Sequence, residues 1–401
     1  MLFRSVLGLR IALSAAGVVA AVAFAALAGY GGELVLGTLI AGGGVFLVSV
    51  QGAMLLPLAI ELRNGTITLN EVLRQAVLVA GFALLVVLGA GLLPFFAASL
   101  VAGVVLVLAT PALLAREHLV LPAWRAGELR GLAAVGLPVA VASLLGVLYF
   151  RVLVVLMSLL SDDPLQVGYY VTSTRVVELV VGLPVLLISV VMPVLTVAAR
   201  DDRARLDYVA ARLTEVMALG GVLFALVIGI GAEPLVRLLG GAAYRPAAHI
   251  LQIQAVVLVT VFVTAAWSPT LLGMGRVREL AGVTAVGLVA VVVAGLVLIP
   301  GHDAEGAAIA AVVADVVLCG VMFAAVYRAG PGRALAAGRL ARIALAGAVA
   351  LGAVLVTGIG PLPGAIAAAV IFIGLAVVLG AIPEELRSTL RGTGGGYAPR
   401  R

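Results

Sequence analysis

The sequence predicts an all-α fold, a polytopic bundle of about twelve transmembrane helices. Three observations carry that expectation. Only 11% of the 401 residues are charged and 64% are apolar, whereas a soluble globular chain has about 25% charged residues. Twelve apolar runs each reach the roughly 20 residues needed to cross about 30 Å of hydrocarbon. The segments between the runs alternate without a break between Arg-rich ones and ones with few or no arginines, several of them acidic.

The first span, 8–29, follows Arg4 and Arg10. Basic residues before an apolar run also mark secretory leaders, but this run exceeds their usual length of about 7–15 residues and no soluble domain follows it. The second span, 34–60, opens after an acidic turn at Glu33 and leads into ELRNGTITLNEVLR. Spans 71–92 and 94–115 end at AREHLVLPAWRAGELR. Spans 131–160 and 167–199 flank Asp162 and Asp163 and leave through AARDDRARLDYVAAR. Spans 211–231 and 248–272 enclose Glu233, Arg237 and Arg245 and exit at GMGRVREL. Spans 279–300 and 304–328 meet at Asp303 and Glu305, then give way to YRAGPGRALAAGRLAR. Spans 338–359 and 362–383 complete the set, and 384–401, ending RGTGGGYAPRR, reads as a disordered tail. Basic loops stay cytoplasmic. Both termini are therefore expected in the cytoplasm and the acidic turns outside.

Several function classes lack their signatures. The single Cys319 cannot form an intramolecular disulfide, and His118, His249 and His302 are too scattered for a metal site. There is no HExxH, phosphate loop or cluster of catalytic carboxylates, and GMGR at 273–276 follows no strand, so it reads as an inner turn. No enzyme activity, cofactor, metal or nucleic-acid partner is expected.

Residues 1–116 and 213–330 share an order of features: span, acidic outer turn (GGELVLG and AEPLVRLLG), second span, inner loop, two spans, basic exit. Transporters are commonly built from two such halves. On this reading 1–116 is an incomplete amino-terminal lobe of four spans, 131–330 a carboxy-terminal lobe of six, and 338–383 a further pair. The pair of spans before residue 1 that the repeat calls for points to a truncated chain or a misplaced start, with a natural asymmetric bundle as the alternative.

The run from Leu137 to Leu195 resembles the seventh and eighth helices of Wzx-type oligosaccharide flippases. These belong to the multidrug/oligosaccharidyl-lipid/polysaccharide (MOP) flippase superfamily. The tokens are Pro138, LYFR ending at Arg151, VGYY at 167–170, Arg175, Pro184 and Pro193. Residues 213–330, with EPLVRLLGGAAYRPAAHILQI, LLGMGR and EGAAIAAVVAD, resemble that family's carboxy-terminal polysaccharide-biosynthesis domain. The resemblance implies two lobes around a central cavity, fourteen helices in typical members, and alternating access. It also implies a polyprenyl-diphosphate-linked oligosaccharide as cargo and other polysaccharide-assembly proteins as partners, besides the lipid bilayer. Many relatives carry an Asp two residues after the LYFR arginine; here that residue is Leu153, so no ion-coupling role carries over.

An ionised side chain at the centre of a span costs about 2.5–3.5 kcal/mol on insertion scales. Arg151, Arg175 and Glu178 therefore need an explanation. Arg151 lies nine residues before the outer end of its span and Arg175 eight after the outer start of the next. At 1.5 Å per residue both sit roughly 12–14 Å deep. Glu178 shares a helical face with Arg175. One carboxylate cannot neutralise two guanidinium groups, and the remaining charge calls for a wet cavity or an anion. Planar guanidinium forks suit a diphosphate. The competing reading is a structural Arg175–Glu178 pair with Arg151 snorkelling outward.

Gln252, Thr260, Thr264 and Ser268, with His249 one turn outward, form a polar stripe that suits a cavity wall or helix–helix bonding. Thr172 is placed with them as cavity-lining. Asp315 stands among apolar residues as a possible ion or proton site or a hydrogen-bonded structural acid. Pro138, Pro184 and Pro269 each remove a helix hydrogen bond, as hinges or as static kinks. Trp124 and Trp267 are expected at interfaces or in packing.

Overall fold

The computed structural model describes residues 2–61, 63–113, 126–330 and 337–382. Among them the regular secondary structure is all helix, and eleven helices are long and apolar enough to cross a membrane. The longest of these, Val277–Ala329, holds two of the expected spans. The all-α membrane fold is thus as expected. The segment carrying His118 and Trp124 and the tail 384–401 lie outside the described residues.

The chain divides into two compact units, 1–140 and 141–401. The first contains α1 (Leu2–Leu27), α2 (Gly32–Met54), the short α3 (Leu56–Ile60), α4 (Asn64–Val87) and α5 (Leu92–Leu113). Helix α2 packs against α1 and α5, and α4 against α5. A small residue permits the closest approach: a Cβ on Gly44 would fall 2.7 Å from the carbonyl carbon of Ser99. Polar side chains of α1 and α2 pair with each other, Ser14 and Ser49 through their half-buried hydroxyls at 2.6 Å and the exposed Arg10 Nε with Ser49 Oγ at 3.4 Å.

The third span departs from its expected bounds of 71–92. Helix α4 begins seven residues earlier because the polar stretch NGTITLNEVLR is itself helical, with Arg74 Nε donating to Glu71 Oε2 at 2.9 Å across one turn. It ends at Val87 because Gly89 takes φ +62°, the left-handed conformation that closes helices. The second span likewise breaks at Leu55 instead of running to 60.

Helix α6 (Ala126–Leu160) leads into the second unit, which adds α7 (Pro164–Asp201), α8 (Arg203–Ile230), α9 (Ala232–Gly240), α10 (Ala247–Ala255), α11 (Val257–Gly273), α12 (Val277–Ala329), α13 (Ala337–Thr357) and α14 (Pro361–Val378). Helix α7 has a local start signal: Asp163 caps it by accepting from Leu165 N–H at 2.9 Å, and Pro164 sits at its first position. The segment AARDDRARLDYVAAR, expected as a loop, is helical except at Asp202. There the backbone turns extended, and the carboxylate caps α8 by accepting from Arg205 N–H at 2.9 Å.

The eighth span is broken into α10 and α11 at Val256. The ninth and tenth are joined in α12 by a single non-helical residue, Asp303, with φ 45° and ψ −124°. That elbow is held from outside by Ser161, whose hydroxyl donates to Asp303 Oδ1 at 2.6 Å. Gly306 faces the Leu298 carbonyl across the elbow at a separation that leaves no room for a Cβ.

Helix α11 is the centre of this unit, packing against α7, α8 and α12. Trp267 is buried there and donates to Thr214 Oγ1 at 3.0 Å, a packing role. Helices α13 and α14 lie on α8. Their anchor is Glu215, 2% exposed, which binds Arg212 at 2.6 Å and Arg339 of α13 at 2.8 Å. Cys319 is a free thiol, and among the described residues no three His, Cys, Asp or Glu side chains are grouped to hold a metal.

Candidate functional site

Helices α6 and α7 run antiparallel from the capped turn at Asp163, which sets Arg151 opposite the fourth turn of α7. Glu178 meets both arginines there: Arg151 Nη1 lies 2.8 Å from Oε1 and Arg175 Nη1 lies 2.9 Å from Oε2. Each carboxylate oxygen is thus taken by a different guanidinium. The trio carries one net positive charge. The two arginines are 49% and 61% exposed and Glu178 27%, so the surplus guanidinium donors remain available.

Beside the trio is a cavity of about 530 Å³, formed wholly by the second unit. Arg151 and Glu178 line it, while Arg175 does not. Leu153 lines it too, so an apolar group occupies the position where many relatives were expected to carry an Asp. The remaining polar wall consists of Ser143, Tyr149, Tyr170, Thr174, Gln254 and Asp315. Asp315 is 5% exposed and accepts from the Tyr149 hydroxyl at 2.5 Å.

The other residues singled out in the sequence are placed as follows. Thr172 is half-buried on α7 and does not line this cavity. Thr260, Thr264 and Ser268 each donate to a carbonyl of their own helix, at Val257, Val261 and Thr264 respectively, over 2.9, 3.0 and 3.0 Å. Gln252 faces a second, mainly apolar cavity of about 560 Å³ between α8, α10, α11, α13 and α14. His249 Nε2 lies 3.4 Å from Glu305 Oε1. Helix α7 runs unbroken through Pro184 and Pro193, as does α11 through Pro269. Pro138 lies in the backbone of α6, and its side chain is outside the described residues.

The structure therefore brings Arg151, Glu178 and Asp315 to one cavity, with Arg175 at its edge through Glu178. It adds Tyr149, Tyr170, Thr174 and Gln254, which sequence reading passed over. Gln254 had a signal: two residues after Gln252 is about 200° around a helix, so the two amides face opposite ways.

A family model described as "Polysaccharide biosynthesis protein" matches residues 2–249. The chain belongs to that family. The match takes in the whole arginine–glutamate trio and ends within α10, so it covers only the first part of the 213–330 segment expected to carry the carboxy-terminal domain. No curated protein matches the sequence of this polysaccharide biosynthesis protein. Among solved structures, one titled "Lipid II flippase MurJ, inward closed conformation" is similar with a TM-score of 0.76 at 13% identity, covering 95% of this chain and 83% of its own. A multidrug resistance MATE family transporter of the MOP superfamily, in an outward-facing conformation, gives a TM-score of 0.54 at 17% identity, covering 82% and 78%. The resemblance to polysaccharide-biosynthesis proteins read from the sequence is borne out by the family match, and the two solved structures share the fold.

Proposed function

We propose that this family member is a flippase. It moves a polyprenyl-diphosphate-linked oligosaccharide from the inner to the outer leaflet of the bacterial cytoplasmic membrane by alternating access, with both termini cytoplasmic. The observation that carries the reading is one carboxylate shared by two guanidinium groups on adjacent spans. Ionisable side chains within membrane spans are costly and mark functional sites, so the guanidinium left over by the shared carboxylate calls for a purpose. A diphosphate presents several anionic oxygens to which arginine forks can make paired, charge-assisted hydrogen bonds. The adjoining cavity offers room for the first sugar, and the lipid chain stays in the bilayer. The arginines bind; no bond of the cargo is made or broken.

Changing Arg151 and Arg175 together to Gln, at unchanged expression, should abolish surface-glycan export. Normal export in that strain would overturn the reading. The likeness to a lipid II flippase favours examining a peptidoglycan precursor as the alternative cargo, which would present the same diphosphate to the same arginines. Depletion separates the two: loss of viability points to a peptidoglycan precursor, and loss of surface glycan alone to the proposed oligosaccharide.

A further inference from the structure

The cavity beside the arginines has a second polar end, and its chemistry is opposite in kind. Gln254 is 3% exposed, and its Nε2 donates to Thr174 Oγ1 at 3.0 Å. Thr174 has already given its own hydrogen to the Tyr170 carbonyl at 2.8 Å, so its oxygen can only accept here. That fixes the amide orientation: nitrogen towards Thr174, oxygen away from it. The displayed atom, Oε1, is buried and has no hydrogen-bond partner among the described residues. Buried polar atoms are rarely left in that state, and the exceptions call for an explanation.

Asp315 lines the same cavity and accepts from Tyr149 at 2.5 Å. A carboxylate can accept about four hydrogen bonds, so capacity remains. Tyr149's single hydrogen is spent in that bond. This end of the cavity therefore holds two acceptors with capacity left, Gln254 Oε1 and Asp315, beside the Tyr170 hydroxyl, whereas the Arg151 end offers charged donors. The rest of the wall is Val177, Val257, Val261, Val291 and similar apolar side chains. It suits the carbon faces of a ring, with Tyr149 and Phe150 set edge to face at 5.5 Å alongside.

From this arrangement we infer that Gln254 and Asp315 form a sugar-hydroxyl subsite, with Gln254 Oε1 as the atom that tests whether the diphosphate carries a glycan. The inference rests on the flippase reading and adds to it a means of telling loaded from unloaded carrier lipid. A diphosphate held at Arg151 delivers its first sugar into the cavity, and the sugar's hydroxyls supply donors to Gln254 Oε1 and Asp315. An empty polyprenyl diphosphate supplies none.

The test measures binding of two probes to the purified full-length protein in detergent: undecaprenyl diphosphate, and the same lipid carrying one N-acetylhexosamine. The sugar-bearing lipid should bind about fivefold more tightly, the effect of one hydrogen bond of ordinary strength. Gln254→Leu should erase that preference and leave affinity for the bare lipid unchanged. Gln254→Glu, which keeps an acceptor, should retain it, and Gln254→Met substitutes for the leucine variant if that variant does not assemble. A preference that survives Gln254→Leu or Gln254→Met, or equal loss for both lipids, overturns the subsite. Wild-type protein that binds both lipids equally also overturns it while leaving the flippase reading intact. Binding of neither lipid sinks both.

Discussion

The Tyr149 hydroxyl donates to Asp315 Oδ1 across 2.5 Å, joining α6 to the second arm of α12 over 166 residues of sequence. Asp315 is buried, so removing its donor should leave an acceptor unsatisfied, at a cost of about 1–3 kcal/mol. Tyr149→Phe is expected to lower the thermal unfolding midpoint in detergent. Tyr149→Phe combined with Asp315→Leu should recover part of that loss, because both polar partners are then gone. A double variant no better than the single one would show that the bond does not stabilise the protein.

Glu178 holds both arginines, and its removal should raise the local charge from one to two. Glu178→Gln is expected to tighten binding of undecaprenyl diphosphate and to slow surface-glycan export, because release becomes harder. Equilibrium binding with the purified variant and glycan staining of whole cells measure the two effects separately.

Arg151→Lys keeps the charge and loses the planar fork. Lysine presents a compact point charge in place of two parallel donors. Affinity for the same lipid should fall by about tenfold, one hydrogen bond to a charged group costing about 1.5 kcal/mol. Unchanged affinity would mean that charge alone serves at this position.

The elbow of α12 provides a steric test. A Cβ on Gly306 meets the Leu298 carbonyl, while a Cβ on Gly301 meets nothing within 4 Å. Gly306→Ala should destabilise by at least the roughly 1–3 kcal/mol typical of overpacking, and Gly301→Ala should be tolerated. Paired measurements of expression and melting temperature decide it.

Glu215 predicts how firmly α13 is held. It is buried and bound to Arg212 and Arg339. Glu215→Gln leaves both arginines without its charge and should cost roughly 3 kcal/mol, near the lower end for breaking a buried pair. The expected sign is a lower melting temperature, with limited proteolysis cutting first between α12 and α13.

Much of this was legible in the chain itself. The spans are legible because hydrocarbon demands about 20 apolar residues, and that demand leaves little freedom. The meeting of Arg151, Arg175 and Glu178 was legible for a related reason: two consecutive spans joined by a short turn place equal distances from that turn at equal depth. What failed to show were features decided by local backbone. The third span slid because a polar stretch stabilised its own helix through Glu71 and Arg74. The break expected at 301–303, between the ninth and tenth spans, shrinks to a bend at Asp303 alone, held by Ser161. Gln254 falls outside the polar stripe of Gln252, Thr260, Thr264 and Ser268 because it sits about 200° from Gln252 around the helix. Its role depends on Thr174, 80 residues away.

The two-to-one ratio of guanidinium to carboxylate also governs the return journey of the proposed cycle. Once the cargo has left, the cluster keeps one unit of positive charge. Bacterial membranes are electrically negative inside, so the voltage draws the vacated cluster back towards the cytoplasm, by about 2.3 kcal/mol per 100 mV for a charge crossing the whole field. Loaded with its diphosphate, the same cluster is anionic and the same voltage pushes it out. Export and resetting would then run off one battery.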